Sequence, residues 1–294
     1  MPIPLTETRN PNSQTIDQLT TEGVLRLINT EDATVPLAVA SAVPDIARAV
    51  DAIHERMKRG GRLVYVGAGT SGRLGVVDAS EMPPTYNTPR GLVVGVIAGG
   101  ESAMFRTAEG AEDDPSLGAA EMKRLEITSN DSIVGIAASG RTPYIIGALS
   151  EARTRGALAI SMACTEPAAV HDAAEIMITL LTGPEVITGS TRMKAGTATK
   201  LALNMISTTL MIKLGKTYGN LMVDLQPSNA KLRDRAQRIV QTATGISAPE
   251  AQSLLAQCGD VKTAIVAALA GCTPAQARER LQRAAGRVAV ALNL

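Results

Sequence analysis

The sequence predicts an α/β fold: a doubly wound, mostly parallel sheet, preceded by N-terminal helices and followed by a small all-α C-terminal domain. Three observations predict it. From residue 62, five short apolar runs follow one another: RLVYVGAG, GLVVGVIAGG, SIVGIAASG, GALAISMAC and AEIMITLLTG. Most of these runs are separated by segments of helix length, the alternation that builds a doubly wound sheet. They are continuous rather than alternating in polarity, as strands buried on both faces must be. Beyond residue 230 the strand-like runs stop and only helical patterns remain. The expected organisation is an N-terminal helical arm over 1–44, an α/β domain over 45–228 and a helical domain over 229–294.

The elements follow in order. LTTEGVLRLINTED places apolar residues at Val24, Leu25, Leu27 and Ile28, a helical spacing. PLAVASAVPDIARAVDAIHERMKRGG reads as a second helix, with a restart at Pro44 and a stop at Gly60-Gly61. After the five strands, KLRDRAQRIVQTATG, SAPEAQSLLAQCGD, VKTAIVAALAG and TPAQARERLQRAAG are four helices. Ser247 precedes Ala-Pro-Glu, and Thr273 precedes a proline at the first helical position, so both are expected N-caps.

Composition excludes several function classes. Aromatic residues make up 2% of the chain, with no Trp and one Phe, too few for the stacking platforms of single-stranded nucleic-acid binding. A formal net charge of +1 supplies no basic field for duplex DNA. Cys164, Cys258 and Cys272 are an odd set without metal-ligand spacing, expected as reduced thiols. The two histidines, His54 and His171, are too few for a histidine-rich metal site, and each reads as a structural residue. The N-terminal MPIPLTETRNPNSQ has no apolar h-region, and no segment holds the ~20 uninterrupted apolar residues of a membrane span. A cytoplasmic chain with no membrane partner is therefore expected.

Gly67, Gly69 and Gly72 in GAGTSGR fit G-x-G-x-x-G behind a strand. A dinucleotide would want an unbroken helix after the glycines and an acid ending the next strand, where Glu101 could serve. The helix GRLGVVDASEM instead runs into PPTYNTPRG, and a lone glycine fingerprint is weak. Thr70 and Ser71 add hydroxyls to the free amides of a helix start, which suits a single phosphate. The same chemistry recurs behind the third strand, where AASGRTPY carries Ser139, Arg141 and Thr142. A third stretch, GPEVITGSTRMKAGTATK, gathers Gly189, Ser190, Thr191, Arg192, Lys194 and Lys200 at a helix entry. Cations there oppose the helix dipole and need a reason, such as an anionic ligand or a carboxylate of a partner subunit.

Two groups of acids complete the pattern. Asp78 and Glu81 lie in VVDASEMPPTY, where Pro83-Pro84 is expected to break the helix. Glu109, Glu112, Asp113 and Asp114 lie in TAEGAEDDP after the second strand. One glutamate from each group could straddle a bound sugar phosphate as acid and base.

Taken together, GAGTSGRLGVVDASEMPPTY, GLVVGVIAGGE, EGAED, GIAASGRTPY and GPEVITGSTRMKAGTATK closely resemble the N-acetylmuramic acid 6-phosphate etherases. TVPLAVASAVPDIA and GNLMVDLQPSNAKL extend the resemblance over nearly the whole chain. These belong to the wider sugar isomerase (SIS) domain family of phosphosugar binders. The resemblance implies a homodimeric lyase needing no metal and no cofactor, which removes a D-lactyl group from C3 of the phosphosugar. By the same resemblance Glu112 handles the C2 proton, and Glu81 assists lactate departure and delivers water. Thr70, Ser71, Ser139 and Thr142 would hold the 6-phosphate, Gly67 and Gly69 would make room for it, and Lys194 would contact the substrate. Two other readings fit the residues alone: a phosphosugar isomerase, and a non-catalytic sugar-phosphate sensor similar to the glucokinase regulatory protein.

Overall fold

The computed structural model describes residues 4–106, 110–225 and 230–294. They form two compact units. The first holds residues up to Ser80 together with Gly91–Ser207; the second holds Glu81–Arg90 and Thr208–Leu294.

In the first unit, short 3-10 turns precede α1 (Thr21–Asp32) and α2 (Val35–Met57). Then come β1 (Leu63–Gly67), α3 (Gly69–Tyr86), β2 (Val93–Ile97), α4 (Pro115–Arg124), β3 (Ser132–Ile136), α5 (Pro143–Thr154), β4 (Leu158–Ala163), β5 (Ile176–Thr179) and α6 (Lys194–Lys213), with the last residues of α3 (from Glu81) and of α6 (from Thr208) counted in the second unit. The five strands form one parallel sheet in the order β2-β1-β3-β4-β5. Leu63 pairs with Val93 on one side and Ser132 on the other, so β1 has two parallel neighbours. Every residue of β1, β3 and β4 is buried, whereas the edge strands β2 and β5 are only partly so. That is why the central strands read as unbroken apolar runs. All five expected strands and the doubly wound class are present.

Two expectations about proline are corrected. α2 runs from Val35 to Met57 straight through Pro44. Pro44 and Ala40, whose carbonyl loses its intrahelical partner, both face solvent, where water can serve that oxygen. The apolar stripe Val39, Ala42, Ile46, Ala49 and Ile53 stays buried and continuous across the proline. The α1–α2 stretch Thr21–Met57 is long and apolar enough by composition to cross a membrane, yet this stripe packs against β4 and β5. Likewise α3 does not end at Pro83-Pro84; it reaches Tyr86, and the Asn87 amide still donates to the Pro83 carbonyl.

α4 and α5 approach unusually closely. A Cβ at Gly118 would fall on the Tyr144 carbonyl, and one at Gly147 on the Pro115 carbonyl. The Tyr144 amide also donates to the Glu112 carbonyl at 3.0 Å. This contact ties the start of α5 to the acidic turn ahead of α4.

In the second unit, β6 (Thr217–Tyr218) and β7 (Leu221–Met222) make a small hairpin ahead of α7 (Ala230–Thr244), α8 (Ala248–Cys258), α9 (Val261–Ala270), α10 (Pro274–Arg283) and α11 (Val288–Ala291). α9 is the core helix, buried along Val261–Ala267. Both expected caps form. Glu250 accepts from the Ser247 amide at 2.8 Å, and the Thr273 hydroxyl accepts from the Gln276 amide.

Candidate phosphosugar site

The sheet order places a topological switch between β1 and β3, where chains leave neighbouring parallel strands in opposite directions. Ligands of open α/β sheets bind in the crevice beyond the carboxyl ends at such a point. A cavity of about 490 Å³ lies there in the first unit. Its floor is Ala68–Ser71 at the entry of α3 and Ile136–Ser139 after β3, with Arg141 and Thr142 leading into α5.

Gly67 lies under this floor rather than on it. A Cβ there would fall on the Gly72 amide, so the first turn of α3 can sit against the end of β1 only because residue 67 is glycine. Gly69 has open space around its α-carbon but a φ of +52°, and a side chain there would be strained by backbone conformation alone. The amides of the first turn of α3 point out of the helix without intrahelical partners. Thr142 is the N-cap of α5, and its hydroxyl makes no capping bond, leaving it available to a ligand. Gly69, Thr70, Ser71, Ser139, Thr142 and Glu112 thus line one cavity, together with Glu7, Asp113, Arg141 and Thr191.

Besides Gly67, two of the expected site residues are not among those lining this cavity. Glu81 is an exposed residue of α3, three positions past Asp78, and belongs to the second unit. Lys194 is 3% exposed, and its ammonium lies 2.7 Å from a Glu31 carboxylate oxygen. Glu31 also accepts from Asn10 and Asn12, each at 2.8 Å. Burial would raise its pKa, but the hydrogen bonds from Asn12, Lys194 and Asn10 outweigh that and lower it. The cation at the start of α6 is therefore answered by a carboxylate of the same chain. Glu185, fully buried, accepts from the Lys194 and Ala195 amides at 2.9 Å and caps α6; burial raises its pKa against those bonds. Glu109 and the stretch 226–229 lie outside the described residues.

Other titratable groups are structural. The His171 ring bridges Ser161 at 2.7 Å and Thr179 at 3.1 Å, and burial lowers its pKa. His54 sits in the last turn of α2. The three cysteines are free, and burial pushes the Cys164 thiol up to about 12. Among the described residues no group of three or more His, Cys, Asp or Glu could hold a metal ion.

Glu7 was not expected in the site, and Thr191 was marked only within the stretch GPEVITGSTRMKAGTATK. Glu7 comes from a 3-10 turn, Leu5–Glu7, in a polar stretch with no local pattern to mark it. The turn is fastened by the Leu5 amide to the Thr165 hydroxyl at 3.0 Å and by the Gly189 amide to the Thr6 carbonyl at 3.2 Å.

A doubly wound sheet with hydroxyl-rich loops at its switch point is the arrangement of an SIS domain. Residues 45–153 match the glucokinase regulatory protein N-terminal SIS domain family. The fold is shared with phosphoheptose isomerase from Neisseria gonorrhoeae, at a TM-score of 0.51 and 15% identity over 65% of this chain and 98% of that one. N-acetylmuramic acid 6-phosphate etherases are far more similar in sequence. That of Caldanaerobacter subterraneus is 53% identical over 99% of this chain and 95% of its own length. That of Streptomyces coelicolor is 54% identical over 98% and 93%. The chain belongs to the N-acetylmuramic acid 6-phosphate etherase family.

Proposed function

We propose that the chain is a lyase that cleaves the D-lactyl ether of N-acetylmuramic acid 6-phosphate, giving N-acetylglucosamine 6-phosphate and D-lactate in recycling of cell-wall sugar. What carries the reading is the cavity at the β1/β3 switch point, lined by Thr70, Ser71, Ser139 and Thr142 beside Glu112, in a chain of this family. The 6-phosphate lies against those hydroxyls and the amides opening α3 and α5, where helix dipoles favour an anion.

With the sugar ring open, the C1 aldehyde acidifies the proton on C2. Glu112 takes that proton, the electron pair forms a C2–C3 double bond, and the C3–oxygen bond breaks. Glu81 gives a proton to the departing lactate oxygen. Water, activated by Glu81, then adds at C3 while the proton returns to C2. The assignment of Glu81 rests on DASEMPPTY and that of Glu112 on EGAED, the segments that resemble the family. The working form is a cytoplasmic homodimer.

The test is turnover in H₂¹⁸O with EDTA present. Unlabelled D-lactate, with ¹⁸O at C3 of the sugar after C1 exchange is separated by fragmentation, supports elimination followed by hydration. Tight binding of the phosphosugar without lactate release would favour the sensor reading instead.

A further inference from the structure

The proposed substrate carries two anionic groups, a phosphate and the carboxylate of its ether substituent, and the phosphate cradle described above is built from neutral donors. Among the described residues lining the cavity, Arg141 is the sole cation, against the acids Glu7, Glu112 and Asp113. Of the charged side chains lining this cavity, only Arg141 would attract a second ligand anion.

Arg141 is also uncommitted. Its guanidinium reaches only within 3.9 Å of the Glu7 carboxylate, and its side chain is 56% exposed. Arg62 shows what a committed arginine looks like in this chain: it meets both oxygens of Asp131, at 3.1 and 2.9 Å, and two backbone carbonyls besides. Glu7, in turn, is held in place by the anchored turn that carries it, with Thr6 fully buried beside it. A fixed carboxylate at that range orients the guanidinium without occupying its donor fork.

We infer that Arg141 binds the carboxylate of the ether substituent, through the two-pronged contact arginine makes with carboxylates, and that Glu7 is the residue that positions it. Arg141 would then distinguish substrate from product, since the product keeps the phosphate and loses the carboxylate. This inference rests on the proposed reaction.

The experiment compares Arg141→Gln, Arg141→Lys and Glu7→Gln with the unaltered protein. It measures kcat and KM for N-acetylmuramic acid 6-phosphate and the inhibition constant of N-acetylglucosamine 6-phosphate. Arg141→Gln should raise KM by about tenfold or more, the loss expected of a charge-assisted contact, while the product's inhibition constant stays within about twofold. Arg141→Lys should recover part of the loss, because it restores the charge but not the fork. Glu7→Gln should shift substrate KM in the same direction by less, again sparing the product. Equal weakening of substrate and product would make Arg141 a phosphate ligand and overturn the proposal, as would no change in either. If the unaltered protein releases no lactate, the proposed reaction fails. Arg141 is then judged by the ratio of the two dissociation constants measured by calorimetry, where a ratio unchanged in Arg141→Gln overturns its role.

Discussion

The Lys194 ammonium and the Glu31 carboxylate lie 2.7 Å apart in the interior, joined across 163 residues of sequence. Neither residue is more than 8% exposed, and Asn10 and Asn12 complete the hydrogen bonding of the carboxylate. The pair fastens the start of α6 to the end of α1 and to the N-terminal turns. Removing one partner leaves the other charged and buried, at a cost of about 3–5 kcal/mol. Lys194→Met should therefore lose stability on that scale in urea unfolding, and Lys194→Met with Glu31→Leu should regain much of it. A single variant of unchanged stability but raised KM would show that Lys194 serves the ligand instead.

Asp78, buried on α3 and accepting a hydrogen bond from Ser207 at 3.0 Å, has its pKa pushed up to about 6, chiefly by burial. The ordinary value is 3.8, so the folded state holds this proton more tightly than the unfolded chain. Its contribution to stability is greatest below pH ~4, falls as pH rises towards ~6, and is flat above. Asp78→Asn should be more stable than the unaltered protein above that window, by up to about 3 kcal/mol, and equal to it below. Denaturant midpoints at several pH values would check the crossing; parallel curves would show that Asp78 does not titrate in this range.

Gly67 and Gly69 should fail for different reasons when changed to alanine. At 67 the new methyl meets backbone, which cannot give way cheaply, and overpacking of this kind costs about 1–3 kcal/mol. It should also push α3 off β1 and weaken inorganic phosphate binding. At 69 the space is open and only the positive φ is penalised, about 1–2 kcal/mol. Thermal unfolding together with phosphate titration separates the two.

Ser71→Ala should weaken phosphosugar affinity by about 1 kcal/mol for one lost neutral hydrogen bond, without changing kcat. Glu81→Gln and Glu112→Gln should do the reverse, keeping affinity while lactate release falls by ~10²–10⁴. Full lactate release in either glutamine variant would remove that glutamate from the chemistry.

The sheet was legible because β1, β3 and β4 are buried on both faces and so wrote themselves as unbroken apolar runs. The loops after β1 and β3 were legible because glycines and hydroxyls cluster at strand ends. Pro44 and Pro83 misled because local backbone preference was outweighed: the buried stripe of α2 carries that helix across its proline. The pairing of Lys194 with Glu31 was not legible, because Glu31 lies far along the chain and no local spacing connects them. Glu7 left no signal at all, since its place depends on turns fastened to Thr165 and Gly189.

The close seat of α4 on α5 has a consequence for the reach of the site. Gly118 and Gly147 let the two backbones touch, and Tyr144 hangs from the Glu112 carbonyl. The turn bearing Glu112 and the loop bearing Thr142 are therefore joined through main chain, like the two arms of a calliper. On the proposed reading, a ligand held by its phosphate in one jaw would have its carbon chain measured off against the other, so the atom offered to Glu112 would be chosen by counting bonds from the phosphorus.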